Sequence, residues 1–229
     1  MAKSKKTKED DKNIVAVEEA LSKSEQFIER HQNTIIYSVL AIVIVIAGYI
    51  GYTRFILEPR EQEGFEEMFK AEQYFERGEF ELALEGDGEY PGFLDIISDY
   101  RMTKASNMAR YYAGISLINL GEFEEGIDHL QDFRKRDTFL GAMAYGAIGD
   151  AYWELGDENR ALRYYRRAYR YEPNDLTTPA FLFKAGLVYE SIGDYDEALE
   201  RYERIRKEFG QSQEARDIEK YIARAEANK

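Results

Sequence analysis

The hydrophobic positions of this chain follow two patterns, one continuous and one periodic. The run from Thr34 to Thr53 contains no charged residue and is rich in Ile, Val and Leu. At about 1.5 Å per residue, such a run spans roughly 30 Å, the thickness of the hydrocarbon core of a bilayer. After Pro59 the apolar positions recur with helical spacing and nowhere alternate as they would in a strand. The sequence therefore predicts a transmembrane helix over residues 34–57 and an all-α domain over residues 58–229.

A cleaved signal peptide is the alternative to an uncleaved anchor. We favour the anchor because the apolar run and the segment before it are both too long for a signal peptide, and Gly51 to Arg54 offers no small-residue cleavage site. Lys and Arg are more frequent before the span than after it, and such residues tend to stay in the cytoplasm. This bias predicts a bacterial inner-membrane protein that crosses the membrane once, with a cytoplasmic N-terminus and a periplasmic C-terminal domain.

Two short segments precede the span. Residues 1–13 are rich in lysine and predict a disordered basic cytoplasmic arm. Residues 14–33 predict an amphipathic juxtamembrane helix, whose apolar positions are Ile14, Val17, Leu21 and Ile28. This helix either lies on the membrane surface or docks a cytoplasmic partner, and the short stripe favours the membrane surface. Within the span, Ala47 and Gly51 are small residues one turn apart, and they are candidates for packing against another helix.

A recurring phrase marks the domain that follows. Its best copy reads Tyr145-x-x-Ile148-Gly149-x-x-Tyr152, then Gly156, then Ala161-x-x-x-Tyr165-x-x-Ala168, and closes at Pro173. Gly149 and Ala161 would let two antiparallel helices approach closely, Gly156 would turn the chain between them, and Pro173 would end the second helix. The phrase returns at intervals close to the ~34 residues of a tetratricopeptide repeat, which these residues resemble.

The resemblance implies a tetratricopeptide-type α-solenoid of about four helix hairpins. We place the hairpins near residues 64–97, 107–140, 142–175 and 179–212, with a capping helix over residues 213–227. The first hairpin is irregular, because Glu85 to Gly92 contains three glycines and a proline and cannot continue a helix. A calcium loop is the alternative for this segment, but it lacks the regularly spaced oxygen ligands that calcium needs.

The composition of the chain limits the kinds of active or binding site that we expect. The chain carries a net charge of −13, two histidines and no cysteine. An acidic surface repels the phosphates of nucleic acids, and the absence of cysteine removes thiolate metal sites and a thiol nucleophile. His31 lies beside the predicted span and His129 lies in the second hairpin, so the two cannot share a site. We therefore expect no enzymatic activity, cofactor, metal, nucleic acid or small-molecule substrate.

The first helix of each hairpin lines the inner surface of such a superhelix, and there the sequence places our candidate peptide-binding residues. They are Met108, Tyr111, Tyr112, Ile115, Met143, Asp150, Trp153, Phe183, Lys184 and Val188. Most are apolar or aromatic, although some of them could instead be packing residues. Related domains that grip chaperone C-termini use a clamp of Lys and Asn, which only Lys184 resembles. Extended or partly folded apolar segments are therefore the expected ligands.

A basic stripe interrupts the acidic domain on the second helix of the third hairpin. It consists of Arg160, Arg163, Arg167 and Arg170 at helical spacing, with Arg166 beside them. The stripe could face an acidic partner or lipid headgroups. We favour the alternative that it is a solvated face whose arginines pair with neighbouring acids such as Glu197 and Glu200.

The order of the parts resembles a known family. Val17-Glu18-Glu19-Ala20 and Phe27 ahead of one anchor, followed by degenerate hairpins, resemble the YfgM-type ancillary subunit of the bacterial Sec translocon. Three runs are similar to membrane-anchored tetratricopeptide proteins of Bacteroidota, namely Gly92-Phe93-Leu94-Asp95-Ile96-Ile97, Thr103-Lys104-Ala105 and Tyr111-Tyr112-Ala113-Gly114. The resemblance implies a place beside the translocon channel and a periplasmic chaperone, where nascent secretory chains are received.

Two other classes of function stay open. One is a structural organiser of another cell-envelope complex, such as secretion, gliding or division machinery, which would bind folded partners permanently. The other is an assembly factor for outer-membrane components, but these usually carry a lipoprotein cysteine, which this sequence lacks.

Overall fold

The computed structural model describes residues 30–229. The predicted basic arm and nearly all of the predicted juxtamembrane helix lie outside the described residues. The chain divides into two compact units, the first ending at Glu58 and the second running from Pro59 to Lys229.

An apolar helix occupies the described part of the first unit. Helical backbone runs from Arg30 to Glu76, and by length and composition it could cross a membrane. Its Ile, Val and Leu side chains between residues 35 and 50 are exposed, as expected of a helix that finds its apolar surroundings outside the chain. The sequence predicted that the span would end at residue 57, and the first compact unit ends at Glu58.

The backbone changes its hydrogen bonding where that end was expected. Thr53–Leu57 forms a π-helical turn, in which the amide of Glu58 donates to the carbonyl of Thr53. Pro59 follows directly, and because proline has no N–H it leaves the carbonyl four residues earlier without a helical donor. A π-turn is one way in which a helix accommodates such a disruption.

The second unit consists of ten α-helices among the described residues and no β-strand. In chain order they are α1 Glu58–Glu76, α2 Phe80–Glu85, α3 Phe93–Asp99, α4 Lys104–Leu120, α5 Phe123–Asp132, α6 Thr138–Glu154, α7 Glu158–Arg170, α8 Thr177–Ser191, α9 Tyr195–Glu208 and α10 Ile218–Asn228. The all-α class is thereby confirmed.

Sequence neighbours pack as hairpins. α4 packs on α5, α6 on α7 and α8 on α9, and each hairpin contacts the next, while α10 packs on α9. One hydrophobic core runs from Tyr111 to Ala225, and a second one joins α1 to α4. This arrangement is a tetratricopeptide-like helical solenoid.

Small residues and polar caps explain why these segments form hairpins. A Cβ on Gly149 would lie 2.7 Å from the ring of Tyr165, so only glycine lets α7 approach α6 this closely. Gly156, between these two helices, has a φ of +72°, a left-handed conformation that favours glycine. Asp157 then caps α7 by accepting a hydrogen bond from the amide of Arg160.

The first repeat is irregular, as its glycines predict. Its second helix is split into α2 and α3 by the segment Gly86–Gly92, and an isolated bridge pairs Gly86 with Pro91. Asp87 organises this segment, because its carboxylate accepts hydrogen bonds from the amides of Glu89 and Tyr90 and from the hydroxyl of Tyr74. These bonds lower the pKa of Asp87 to about 2, the bond from Tyr74 contributing most. The carboxylate thus serves the fold of this loop.

The C-terminal cap differs in detail from the expectation. The sequence predicted a helix over residues 213–227, whereas the structure has a 3₁₀ turn at Glu214–Asp217 before α10 begins at Ile218. Ile218, Ile222 and Ala225 are buried against the last hairpin, and the polar face of α10 closes the solenoid.

Candidate protein-binding surface

The first helix of each regular hairpin presents a line of partly exposed side chains. On α4 this line comprises Met108, Tyr112 and Ile115. On α6 it comprises Met143, Ala147 and Asp150, which occupy equivalent repeat positions, with Trp153 one turn further. Because the residues lie three or four positions apart, they share one helical face. We call the line on α4 and α6, defined by Met108, Tyr112, Ile115, Met143, Ala147, Asp150 and Trp153, the groove face.

Two predicted groove residues belong to the core instead. Val188 is 0% exposed and Tyr111 is only 8% exposed. Tyr111 packs against Phe133 with 5.4 Å between ring centres, and burial raises the pKa of its hydroxyl to about 12. A helix turns by about 100° per residue, so the face that exposes Tyr112 turns Tyr111 inwards. Neither Tyr111 nor Val188 can contact a ligand in this conformation.

Aromatic contacts fix the groove face at its start. Tyr112 stacks on Phe93 of α3 at 5.2 Å between ring centres and meets Phe75 of α1 edge-on at 5.0 Å. These contacts hold the Tyr112 ring in one orientation, since offset-stacked and edge-on pairs are the favoured aromatic geometries.

The capping helix covers one of the three predicted groove residues on α8, Phe183. Phe183 lies 4.7 Å from the ring centre of Tyr221 on α10, in an edge-on contact. Phe183 therefore packs under the cap and is only partly exposed.

Lys184 is already paired. Its ammonium group donates to both carboxylate oxygens of Asp150 at 2.7 Å, and the hydroxyl of Tyr165 donates to the same carboxylate at 2.7 Å. Burial raises the pKa of Tyr165, and the negative charge of Asp150 raises it further. The two predicted groove residues thus neutralise each other across adjacent repeats, so Lys184 is not a free cation for a terminal carboxylate.

The same arrangement recurs one repeat later. The hydroxyl of Tyr202 donates to Glu190 at 2.9 Å, and the guanidinium of Arg224 donates to Glu190 at 3.0 Å. The acid and the base are separated by 34 residues in both cases. We call each set, Asp150–Tyr165–Lys184 and Glu190–Tyr202–Arg224, an inter-repeat triad. Sequence reasoning missed the triads, although the recurrence of an acid and a base at the repeat period was visible.

The predicted basic stripe is an exposed surface, but Arg160 is not part of it. Arg163, Arg166, Arg167 and Arg170 are exposed on α7. Arg160 instead donates to Asp157 at 2.5 Å and stacks over the ring of Tyr152 at 4.4 Å. Arg160 is therefore occupied at the start of the helix.

The acids expected to pair with the stripe have another partner. Glu197 and Glu200 on α9 bind the guanidinium of Arg201, at 2.6 and 2.7 Å. Within residues 30–229, no carboxylate lies within ion-pair distance of Arg163, Arg166, Arg167 or Arg170.

The two small residues of the apolar helix face open space. Ala47 is exposed, and a Cβ added to Gly51 would meet nothing within 4 Å in the described chain. Their packing against another helix stays a prediction. Among the described residues, no group of three His, Cys, Asp or Glu is placed to hold a metal ion.

Comparison with known proteins supports the class that the geometry indicates. Tetratricopeptide-repeat models match residues 142–175, and also residues 108–137 and 180–212. These segments coincide with the hairpins α4–α5, α6–α7 and α8–α9. The chain therefore contains tetratricopeptide repeats, a class of protein–protein interaction scaffold.

Solved structures agree with this fold. The TPR-like repeats of a kinesin light chain from Podosopora anserina align with a TM-score of 0.56 at 12% identity, covering 73% of this chain and 87% of that chain. A structure of MamA aligns at 21% identity with a TM-score of 0.48, covering 72% and 91% of the two chains. At 12% identity the likeness to the kinesin light chain repeats shows the fold alone. Comparison with curated protein sequences finds no match.

Proposed function

We propose that this chain is a non-enzymatic, membrane-anchored scaffold that binds extended polypeptide segments along its groove face. The observation that supports the proposal most is the line of partly exposed apolar side chains on α4 and α6, from Met108 to Trp153. These side chains pack against the core on one side and leave part of their surface uncovered, and a tetratricopeptide solenoid presents such a surface to ligands.

The ligand we propose is an apolar segment. Lys184, the lysine among the predicted groove residues, is neutralised by Asp150. The groove face therefore offers aromatic and aliphatic contacts in place of a charge clamp, which suits an unfolded secretory chain or an apolar surface of its chaperone.

We further propose that the chain serves as an ancillary subunit of the Sec translocon in a bacterial inner membrane. Three features support this: the helix from Arg30 to Glu76, which is long and apolar enough to span a membrane, the lysines that precede it, and the resemblance of the tip and anchor to that family. In this orientation the N-terminus is cytoplasmic, and the repeats face the periplasm and its chaperones.

The test is photocrosslinking in living cells with a benzoylphenylalanine at single positions. Tyr112 probes the groove face and Ala47 probes the anchor, whereas Leu120, exposed at the end of α4, is the matched control on the same helix as Tyr112. We expect Ala47 to capture the translocon channel, and Tyr112 to capture secretory chains or a chaperone that Leu120 does not capture.

The outcomes separate the two parts of the proposal. Capture of subunits of another envelope complex from both Tyr112 and Ala47, in fixed stoichiometry, would replace the translocon role with that of a structural organiser. Equal capture from Tyr112 and Leu120 would refute binding at the groove face itself.

A further inference from the structure

The arginines of α7 form a cleft that the proposed function does not use. Arg163, Arg166, Arg167 and Arg170 line it together with two aromatic side chains, Tyr145 and Tyr171, and its volume is about 410 Å³. Every residue that lines the cleft is therefore an arginine or a tyrosine, in a chain whose net charge is −13.

The next equivalent helix, α9, differs from α7 in how its basic side chains are paired. On α9, every Lys and Arg pairs with a carboxylate, namely Arg201 with Glu197 and Glu200, Arg204 with Glu208, Arg206 with Glu219 and Lys207 with Glu203. On α7, the four arginines of the cleft have no carboxylate within ion-pair distance among residues 30–229. Arg166 donates to the uncharged hydroxyl of Tyr189 at 3.5 Å, so no negative charge offsets these four arginines at ion-pair distance in the described part of the chain.

Lys135 extends the positive charge beside the cleft. Its ammonium group lies 5.1 Å from the ring centre of Tyr145 and donates to two backbone carbonyls, those of Leu130 and Phe133. Burial lowers the pKa of Lys135, and the nearby charge of Arg167 lowers it further. Asp132 acts on Lys135 in the opposite direction, and Glu197 and Glu200 line an adjoining pocket with Arg166 and Arg170. No acid lines the cleft itself.

The aromatic residues give this surface a defined shape. The hydroxyl of Tyr171 donates to the carbonyl of Lys135 at 2.6 Å, and its ring meets that of Tyr145 edge-on with 5.6 Å between centres. Arg167 lies over the ring of Tyr164 at 5.0 Å. Rings held by their neighbours offer flat surfaces for apolar groups, and guanidinium groups bind carboxylates in a bidentate manner.

We propose that this cleft binds an acidic segment of another polypeptide, one that carries several Asp or Glu residues beside an apolar or aromatic side chain. The guanidinium groups would bind the carboxylates, and the rings of Tyr145 and Tyr171 would contact the apolar side chain. The arginines of the cleft lie on the second helix of the hairpin, and no residue that lines the cleft belongs to the groove face.

An anionic membrane is a poorer fit than an acidic segment. Beyond the cleft, α7 is flanked by Asp157 and Glu158 at its start and by Glu197 and Glu200 on α9. A flat bilayer that approached the arginines would also meet these acids and the surplus negative charge of the chain, whereas a narrow peptide could enter the cleft alone.

The test measures peptide binding to the full chain in nanodiscs of zwitterionic lipid. The probe is a labelled twelve-residue peptide of glutamates with two phenylalanines, compared with the same peptide in which glutamine replaces every glutamate. We compare the natural protein with R163Q/R166Q/R167Q/R170Q and with a control of equal charge change, R77Q/R101Q/R216Q/K220Q, whose four positions are exposed elsewhere.

We expect the acidic peptide to bind the natural protein and the control alike, and to bind the α7 variant about 30-fold more weakly, because each lost exposed ion pair weakens binding a few-fold. Binding should also weaken as salt increases. Circular dichroism verifies that both variants are folded.

Four results would overturn the proposal. The control variant could lose as much affinity as the α7 variant, which would show only an effect of total charge, or the glutamine peptide could bind as well as the acidic one. The protein could bind phosphatidylglycerol vesicles through these arginines without binding the peptide. The protein could also self-associate in a way that the α7 substitutions abolish, which would make a second copy of this chain the partner.

Discussion

Asp150 makes two contacts that substitution can separate, one with Tyr165 in its own repeat and one with Lys184 in the next repeat. Its carboxylate accepts a hydrogen bond from Tyr165, whose side chain is fully buried, and binds Lys184, which is more than one third exposed. The burial of the two partners differs, so we expect the two contacts to contribute unequally to the stability of the solenoid.

The magnitudes follow from that difference. In D150A the hydroxyl of Tyr165 loses its acceptor inside the core, which costs about 1–3 kcal/mol. The ion pair with Lys184 adds only about 0.2–1 kcal/mol, because its side chains are 38% and 36% exposed and water screens their charges. We therefore expect D150A to lower the free energy of unfolding by about 2 kcal/mol, and K184M by less than ~1 kcal/mol.

Urea unfolding of the full chain in detergent, followed by circular dichroism, measures both changes. D150N is the matched control, because asparagine can still accept the bond from Tyr165 but carries no charge for Lys184, so its cost should equal that of K184M. If K184M destabilises as much as D150A, the hydrogen bond to the buried tyrosine is not the main contribution and the reasoning is wrong.

Three further predictions concern the same domain. G149A should destabilise it by about 1–3 kcal/mol, seen as a lower urea midpoint, because the new methyl group would lie 2.7 Å from the buried ring of Tyr165. The stability of the folded protein should fall as pH rises above about 10, the ordinary pKa of tyrosine. Burial raises the pKa of Tyr165 and Tyr202, so folding favours their protonated form. A series of thermal melts from pH 8 to 11 tests this, and a melting temperature that does not change with pH would contradict it. D87N should destabilise the first repeat at pH 7 but not near pH 2. The lowered pKa of Asp87 stabilises the fold fully above about pH 4, and this stabilisation is lost as the pH falls to about 2. Hydrogen exchange of the amide of Tyr90 measures the effect locally.

The hairpins were predictable because their determinants are local. Glycine at Gly149 and Gly156 and aromatic filling at Tyr165 recur at the repeat period, and each has the same physical role wherever it recurs. The break after Glu85 was predictable for the same reason, since glycine and proline act on their own backbone.

The binding surface was less predictable because it depends on contacts between repeats. Tyr111 and Tyr112 are adjacent and chemically identical, and only packing against Phe133 and Phe93 decides which one is buried. The neutralisation of Lys184 likewise requires the register of α6 against α8, which no single repeat contains.

The pairing of the basic stripe also depends on contacts that its sequence pattern does not contain. Its helical spacing was visible in the sequence, but the partner of Arg160 and the alternative partner of Glu197 and Glu200 were not. A pattern on one helix predicts a charged face, whereas the structure shows which of its charges are already paired.

The central claim is that the groove face binds extended apolar polypeptide, and one affinity measurement tests it most directly. The full chain in nanodiscs is titrated with a labelled, uncharged apolar peptide, and the natural protein is compared with I115Q/M143Q on the groove face and with L120Q/L155Q. The control replaces two exposed leucines, Leu120 at the end of α4 and Leu155 directly after α6. We expect the groove variant to bind at least tenfold more weakly and the control to bind normally, with all three proteins folded. Equal affinity in the three proteins, or no binding to the natural protein, would contradict the claim.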